Sequence, residues 1–517
     1  MLTSRRRGVR AVGIVAALIA ATLVLSGCVP FDTHTGASSS TSKPTGEKVS
    51  AELQSYYSQV LRWKACGSQQ CAFAKAPMDW KHPSASSDIS LALTRASATG
   101  TRLGSLFVNP GGPGASGYDT VHDNLKFAVS ATLRKSFDVI GWDPRGVGRS
   151  SAVKCYDDAG LDDYIYGLAK NSVNSPAWVA EVTKSAKDLG AACLKNTGRL
   201  LDFVDTQSTV SDLDMLRAVV GDKKLNYLGY SYGSDIGMFY TDRFAGKVGR
   251  VVLDGSTDST LSIFDVDLEQ SKAFETALRH YLEDCPSTKN CPFTGSVDDS
   301  LAKISALYDH LTVSPLTAPD GRELDNNLLS TAISSALYDK SSWPYLSDMF
   351  GEIRKGKTDT AFVLADFYNG RNSDGTYKDN SLVAFYAVMC LDYPVVTDPA
   401  EIARQNALLV EAAPTTTRPS VVGDVVCQNW PFHNRTPPSP VTGTGAAPIL
   451  VLATTGDPAT PYPWGVALSK QLQSAHLITR HGEGHTAYNR GIACVDDAVD
   501  RYFTTGAVPS SDPDCTG

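Results

Sequence analysis

Leu225-Asn226-Tyr227-Leu228-Gly229-Tyr230-Ser231-Tyr232-Gly233-Ser234-Asp235-Ile236-Gly237 is the stretch on which the fold turns. The short, mainly apolar run Leu225 to Gly229 predicts a strand, and a helix is expected from Ser234 to Phe244. Between them lies Gly229-x-Ser231-x-Gly233, where any side chain larger than hydrogen at the two glycines would collide with the strand or the helix. A serine on such a turn is exposed and held in a strained backbone, the disposition of an enzyme nucleophile.

The neighbouring sequence repeats the strand-to-helix rhythm. Leu106-Phe107-Val108 and Phe137-Asp138-Val139-Ile140-Gly141-Trp142 are strand-like runs that end in the Gly-rich turns Pro110–Gly114 and Asp143–Ser150. A helix is expected over about Ser208 to Val220, with Val210, Leu213, Leu216, Arg217 and Val220 at three- and four-residue spacing, and another strand at Val251 to Leu253. After Asp258 helical periodicity takes over, as in Phe274 to Leu282, Ser300 to Leu311 and Leu328 to Leu337. The alternation returns with strand Pro448 to Leu452, helix Trp464 to Gln473 and strand Ala475 to Thr479. Short apolar strands alternating with helices imply a mostly parallel central sheet covered on both faces. With the serine turn this is an α/β-hydrolase fold, its core expected over residues 51–258 and 441–517, interrupted by a mainly helical cap over 259–440.

A serine hydroxyl needs a base to take its proton. His485 is the best placed, in His481-Gly482-Glu483-Gly484-His485-Thr486, a Gly-flanked loop after the last expected strand; His476 and His481 are the alternatives. The orienting acid should lie between serine and histidine in chain order. Asp457 fits, in the loop Thr454–Pro458 that leaves strand Ile449–Ala453, with Asp254 the alternative. Two backbone donors should hold the developing oxyanion, each worth about 3–4 kcal/mol. The N–H of Tyr232 and that of Gly112, in the turn Pro110-Gly111-Gly112-Pro113-Gly114, are the candidates.

At the N-terminus Arg5, Arg6, Arg7 and Arg10 precede the apolar stretch Ala11 to Leu25, a secretory signal. It ends in Leu25-Ser26-Gly27-Cys28, which resembles a bacterial lipobox, so residues 1–27 are expected to be removed and Cys28 lipidated. Residues 28–50 are small and polar and are expected to form a flexible tether. No later stretch approaches the ~18 apolar residues of a spanning helix. Without Cys28 the eleven cysteines leave ten, an even number in an exported protein, which predicts five disulfides. Their order suggests nearest-neighbour pairs: Cys66/Cys71, Cys155/Cys193, Cys285/Cys291, Cys390/Cys427 and Cys494/Cys515. A zinc site at Cys285 and Cys291 is disfavoured by their spacing and the lack of a second Cys or His pair nearby. A net charge of −8, with no Lys/Arg run after the first ten residues, argues against a nucleic-acid partner. No metal or cofactor is implied, and a monomer is expected.

Longer motifs carry a family likeness. Asn109-Pro110-Gly111-Gly112-Pro113-Gly114-Ala115-Ser116-Gly117, Trp142-Asp143-Pro144-Arg145-Gly146-Val147-Gly148-Arg149-Ser150 and Asp212-Leu213-Asp214-Met215-Leu216-Arg217 belong to it. So do the Ser231 turn, Val252-Leu253-Asp254-Gly255, Gly456-Asp457-Pro458-Ala459-Thr460-Pro461 and Gly484-His485. The chain resembles the secreted α/β-hydrolase serine peptidases of the tripeptidyl aminopeptidase type, related to prolyl aminopeptidases and carrying a TAP-like C-terminal segment. The resemblance implies a Ser231–Asp457–His485 triad, a helical cap and release of short peptides, tripeptides foremost, from free N-termini of peptides or proteins outside the cell. It departs from the prolyl aminopeptidases at Pro110, where those enzymes carry His, which puts proline specificity in doubt. An enzyme of this kind must hold the substrate's ammonium group. Asp392, beside Cys390, is the candidate, and Thr460 is a candidate for steadying the acid loop. Two other functions stay open: a carboxylesterase or lipase acting on cell-envelope or exogenous esters, and a non-catalytic surface lipoprotein.

Overall fold

The computed structural model describes residues 39–434 and 437–516, so the signal segment and Cys28 lie outside the described residues. One sheet runs through the described chain. Its strands are β1 (Ser40–Thr41), β2 (Arg62–Cys66), β3 (Gln69–Pro77), β4 (Asp88–Ala96), β5 (Gly104–Asn109), β6 (Phe137–Trp142), β7 (Leu225–Tyr230) and β8 (Val248–Asp254). A separate hairpin, β9 (Leu316–Thr317) and β10 (Glu323–Leu324), precedes the last three, β11 (Ile449–Gly456), β12 (Ala475–Glu483) and β13 (Asp514–Thr516). The order is β1-β2-β3-β4-β6-β5-β7-β8-β11-β12-β13, antiparallel from β1 to β6 and parallel beyond.

The central parallel strands β5, β6, β7, β8 and β11 bury both faces, which explains their mainly apolar sequence. Phe107, Ile140, Tyr227, Val251, Leu253, Ile449 and Val451 join one core cluster. Leu106, Val108, Val139, Leu228, Val252, Leu450 and Leu452 join the other, as the two-residue period of a strand requires. The helix expected at 208–220 spans Thr206–Val220, and the one after the serine turn spans Tyr232–Arg243.

Two expectations change. Residues 40–50 are not tether: β1 pairs with β2, and Glu47 is bound by Arg217 Nη2 at 2.8 and 2.9 Å and by Lys247 Nζ at 2.8 Å. A carboxylate between two cations outweighs the small, polar composition that suggested a free segment. The cap is also not a simple insertion over 259–440. Helices Ile263–Asp284, Val297–Val313, Asn326–Leu337, Trp343–Ile353 and Asp359–Asn369 share a core of their own, to which Tyr166 of the earlier helix Asp158–Tyr166 contributes. Helices Ser381–Asp392 and Val425–Gln428 instead pack through Val383, Ala387, Cys390 and Val426 into the cluster on the sheet. Local sequence starts the cap helices: Ser262 with Asp265 and Ser296 with Asp299 form reciprocal capping boxes.

All ten described cysteines are joined, Cys66–Cys71, Cys155–Cys193, Cys285–Cys291, Cys390–Cys427 and Cys494–Cys515. Among the described residues no helix is long and apolar enough to cross a membrane.

A buried ion pair anchors the turn after β6. Arg145 gives Nε and Nη2 to the two oxygens of Asp212 at 2.7 Å each, and both side chains are fully buried. Its remaining N–H groups reach the carbonyls of Pro77, Met78 and Phe203 at 2.8–3.0 Å, so every guanidinium donor has an acceptor. Asp212→Ala would strand that charge in the core. It should lower folding stability by about 3–5 kcal/mol, read from the urea midpoint; a loss below 1 kcal/mol would show that the pair is dispensable.

Candidate active site

The site begins at the C-terminal end of β7. Ser231 has φ +54° and ψ −133°, left-handed backbone that a serine occupies at a cost of about 1–3 kcal/mol. Neighbouring bonds hold it there. Its N–H reaches the Asp254 carbonyl at 2.9 Å, its carbonyl accepts the Ser234 N–H at 2.7 Å, and Tyr227 Oη donates to the Gly233 carbonyl at 2.6 Å. The glycines are steric necessities: a Cβ on Gly229 would lie 2.3 Å from the Gly233 oxygen.

The turn after β5 leans on this elbow. A Cβ on Gly111 would come within 2.5 Å of the Tyr230 oxygen and 2.9 Å of the Tyr232 nitrogen. Gly111 spends its own N–H on Asn109 Oδ1 at 2.9 Å. The N–H groups of Gly112 and Tyr232 have no hydrogen-bond partner among the described residues. Tyr232 opens the helix Tyr232–Arg243, where the first N–H groups lack intrahelical acceptors and the helix dipole favours negative charge.

The acid and the base meet from two loops. His485 Nδ1 lies 2.9 and 2.8 Å from Asp457 Oδ1 and Oδ2. Asp457 also accepts the N–H groups of Ala459, Thr460 and Thr486 at 2.8–3.1 Å and the Thr460 hydroxyl at 2.9 Å, a set that leaves its carboxylate a single orientation. The Thr460 hydroxyl is also 3.2 Å from His485 Nδ1. Because a carboxylate only accepts, Nδ1 carries the proton and Nε2 is the basic nitrogen. Nε2 is buried and has no partner among the described residues. His485 packs beside Gly255, one residue past the carbonyl that holds Ser231, with a Cβ on Gly255 falling 3.2 Å from Cε1.

The alternatives fall elsewhere. The Asp254 carboxylate accepts the N–H groups of Ala487 and Tyr488 at 2.8–3.1 Å and does not bind the imidazole. His476 and His481 lie on β12, and His481 pairs with Asp514. Asp392 stands at the end of helix Ser381–Asp392 and accepts the N–H and hydroxyl of Thr206 at 2.9 and 2.5 Å, while the same hydroxyl meets Tyr232 Oη. Burial and the nearby Asp205 charge push the Asp392 carboxyl up to about 7. Asp235 is a group the sequence reading passed over, although it sits one helical turn beyond Ser231; burial pushes it up to about 7 against a 2.6 Å bond from Thr257. Tyr338, from the cap, was not foreseen either: its ring meets the His485 imidazole edge-to-face at 5.4 Å, and no local motif marks it.

Residues 414–515 match the family model described as TAP-like protein. The serine protease Hip1 of Mycobacterium tuberculosis is 34% identical over 99% of this chain and 99% of its own. Carboxylesterase B of Mycobacterium tuberculosis is 37% identical over 86% of each chain. Tripeptidyl aminopeptidase of Streptomyces coelicolor is 29% identical over 88% of this chain and 86% of its own.

Proposed function

The chain belongs to the α/β-hydrolase family with a TAP-like C-terminal segment, Hip1 among its members, and from that membership we propose a serine exopeptidase that removes short peptides from free N-termini outside the cell. It is a hydrolase in fold and kinship. The observation that carries the reading is the pairing of His485 Nδ1 with Asp457, which leaves Nε2 unpartnered on an imidazole packed against Gly255, next to the Asp254 carbonyl that holds the Ser231 N–H.

In this scheme Ser231 Oγ attacks the substrate carbonyl as His485 Nε2 takes its proton. The oxyanion is held by the N–H groups of Tyr232 and Gly112, donors that stabilise the transition state more than the ground state. Collapse releases the amine, protonated by His485, and leaves an acyl group on Ser231 that water then removes. Asp457 keeps the imidazole in its Nδ1–H tautomer and stabilises the imidazolium, and Thr460 holds Asp457 in place. Ser231→Ala should lower kcat by about 10⁵-fold or more with an unchanged melting curve. N-acetylation of the substrate should abolish peptide turnover by the wild-type enzyme. The relative named carboxylesterase favours a second reading, an esterase with the same triad, and indifference to acetylation together with fast turnover of short acyl esters would select it.

Asp392 is the proposed partner of the substrate ammonium group. Its position supports this: it accepts from the Thr206 hydroxyl that also meets Tyr232 Oη, and it makes no ion pair among the described residues. Its carboxyl ionises near 7 and an α-ammonium group loses its proton at about 7.7–8.0, so the ion pair exists mainly between those values. KM for a free tripeptide amide should fall as pH rises from 6 to 7.5 and climb again above 8. Asp392→Asn should remove the lower limb, and a variant with the wild-type KM profile would exclude Asp392 from binding.

The same proposal puts the enzyme on the outer face of the cell membrane, held by acyl chains on Cys28. Five disulfides support an oxidising compartment. A labelled fatty acid should be incorporated into the wild type and not into Cys28→Ala; a wild-type protein that takes up no label would rule out the lipid as anchor.

A further inference from the structure

The cap grips the two loops that carry Asp457 and His485. From helix Ile263–Asp284, Gln270 Nε2 donates to the Ala459 carbonyl at 2.6 Å, His280 Nδ1 lies 3.0 Å from Glu483 Oε1, and Glu269 accepts Trp464 Nε1. From the end of helix Asn326–Leu337, the Tyr338 carbonyl accepts the His485 N–H at 2.8 Å, and a Cβ on Gly484 would fall 3.2 Å from that same oxygen. The Tyr338 ring stands edge-to-face on the imidazole, its plane turned 84°. Tyr338 is itself wedged, with ring contacts to Phe274 at 5.7 Å and Tyr368 at 6.1 Å.

His485 is therefore held from two sides. The core fixes its ring through Asp457, and the cap fixes its peptide plane and one edge of the ring through Tyr338. Without the cap contact the loop Gly482–His485 keeps only its core bonds, and both glycines have positive φ, at 155° and 102°, so the backbone can swing. An imidazole displaced by about 1 Å from its reaction partner can lose on the order of 10²-fold in rate.

We propose that Tyr338 is a positioning residue for His485, so that the cap completes the catalytic centre as well as covering it. This rests on the Ser231–Asp457–His485 assignment. It separates from substrate binding by a comparison of two substrates. A tripeptide anilide is long enough to reach from Ser231 toward the cap, whereas p-nitrophenyl acetate, with a two-carbon acyl group, needs only Ser231, His485 and the oxyanion donors.

The full-length wild type, Tyr338→Phe, Tyr338→Ala and Ser231→Ala are compared on both substrates, with thermal melting to confirm folding. Tyr338→Ala should lower kcat on both substrates by one common factor, on the order of 10- to 100-fold, with KM little changed. Tyr338→Phe, which keeps the ring that Tyr338→Ala removes, should stay within about 2-fold of wild type, both variants retaining the backbone carbonyl. Wild-type acetate turnover in Tyr338→Ala beside a fall confined to the peptide would make Tyr338 a substrate contact and overturn the proposal. Should the alanine variant not melt cooperatively, Tyr338→Leu, which fills the space without an aromatic edge, carries the same comparison with the same two outcomes. Loss in Ser231→Ala with no change in the Tyr338 variants refutes the positioning role alone. Retained turnover in Ser231→Ala refutes the triad and the positioning role together.

Discussion

One residue at the end of β8 ties the nucleophile to the base. The carbonyl of Asp254 takes the Ser231 N–H, and its carboxylate takes the N–H groups of Ala487 and Tyr488, just past His485. Parallel pairing of β7 with β8 puts Tyr230 opposite Asp254, so the register of two core strands sets where the serine turn and the histidine loop come together. Burial pushes this carboxyl up to about 6 even though backbone donors and Arg490 oppose the shift. A carboxyl raised above its ordinary range opposes folding as it ionises, between about pH 4 and pH 6. The donors from Ala487 and Tyr488 offset that cost only while the histidine loop is in place. Loop position and core charge are thus one problem with one solution.

The features legible in the sequence are those with a local cause. Gly229 follows from a collision with Gly233 within five residues, although Gly233 itself is required by Asn109 on β5, 2.6 Å from a Cβ placed there, and the parallel strands follow from the apolar content that two-sided burial demands. Asp457 and His485 were singled out by chain order and by the loops that carry them, and the structure brings their side chains within 2.8 Å. What stayed hidden depends on distant partners. Glu47 looks like any tether residue until Arg217 is beside it, and Tyr338 is one aromatic among many until the cap folds down on Gly484. Strand β3 escaped for a different reason: Ala72, Ala74 and Ala76 face inward while Phe73 is 62% exposed, so its alternation is inverted in apolar contrast.

The motif Asp212-Leu213-Asp214-Met215-Leu216-Arg217, first noted as a family likeness, acquires a physical reason. Asp212 holds Arg145 and the turn after β6, while Asp214 binds Arg217, Lys247 and the hydroxyls of Tyr57 and Tyr240. Leu213, Met215 and Leu216 between them are fully buried. Charged groups at the centre of a fold are tolerated when each is fully hydrogen-bonded, and here they fasten chain segments far apart in sequence to a single helix.

Each disulfide joins a cysteine to the next one along the described chain, from Cys66–Cys71 through Cys155–Cys193, Cys285–Cys291 and Cys390–Cys427 to Cys494–Cys515. No bridge encloses or crosses another. For a polypeptide threaded out of a cell from its N-terminal end, the first of these ten thiols to emerge after an unpaired one of them is always its native partner. Oxidation in order of appearance therefore yields the correct connectivity, with no wrong bond for an isomerase to undo.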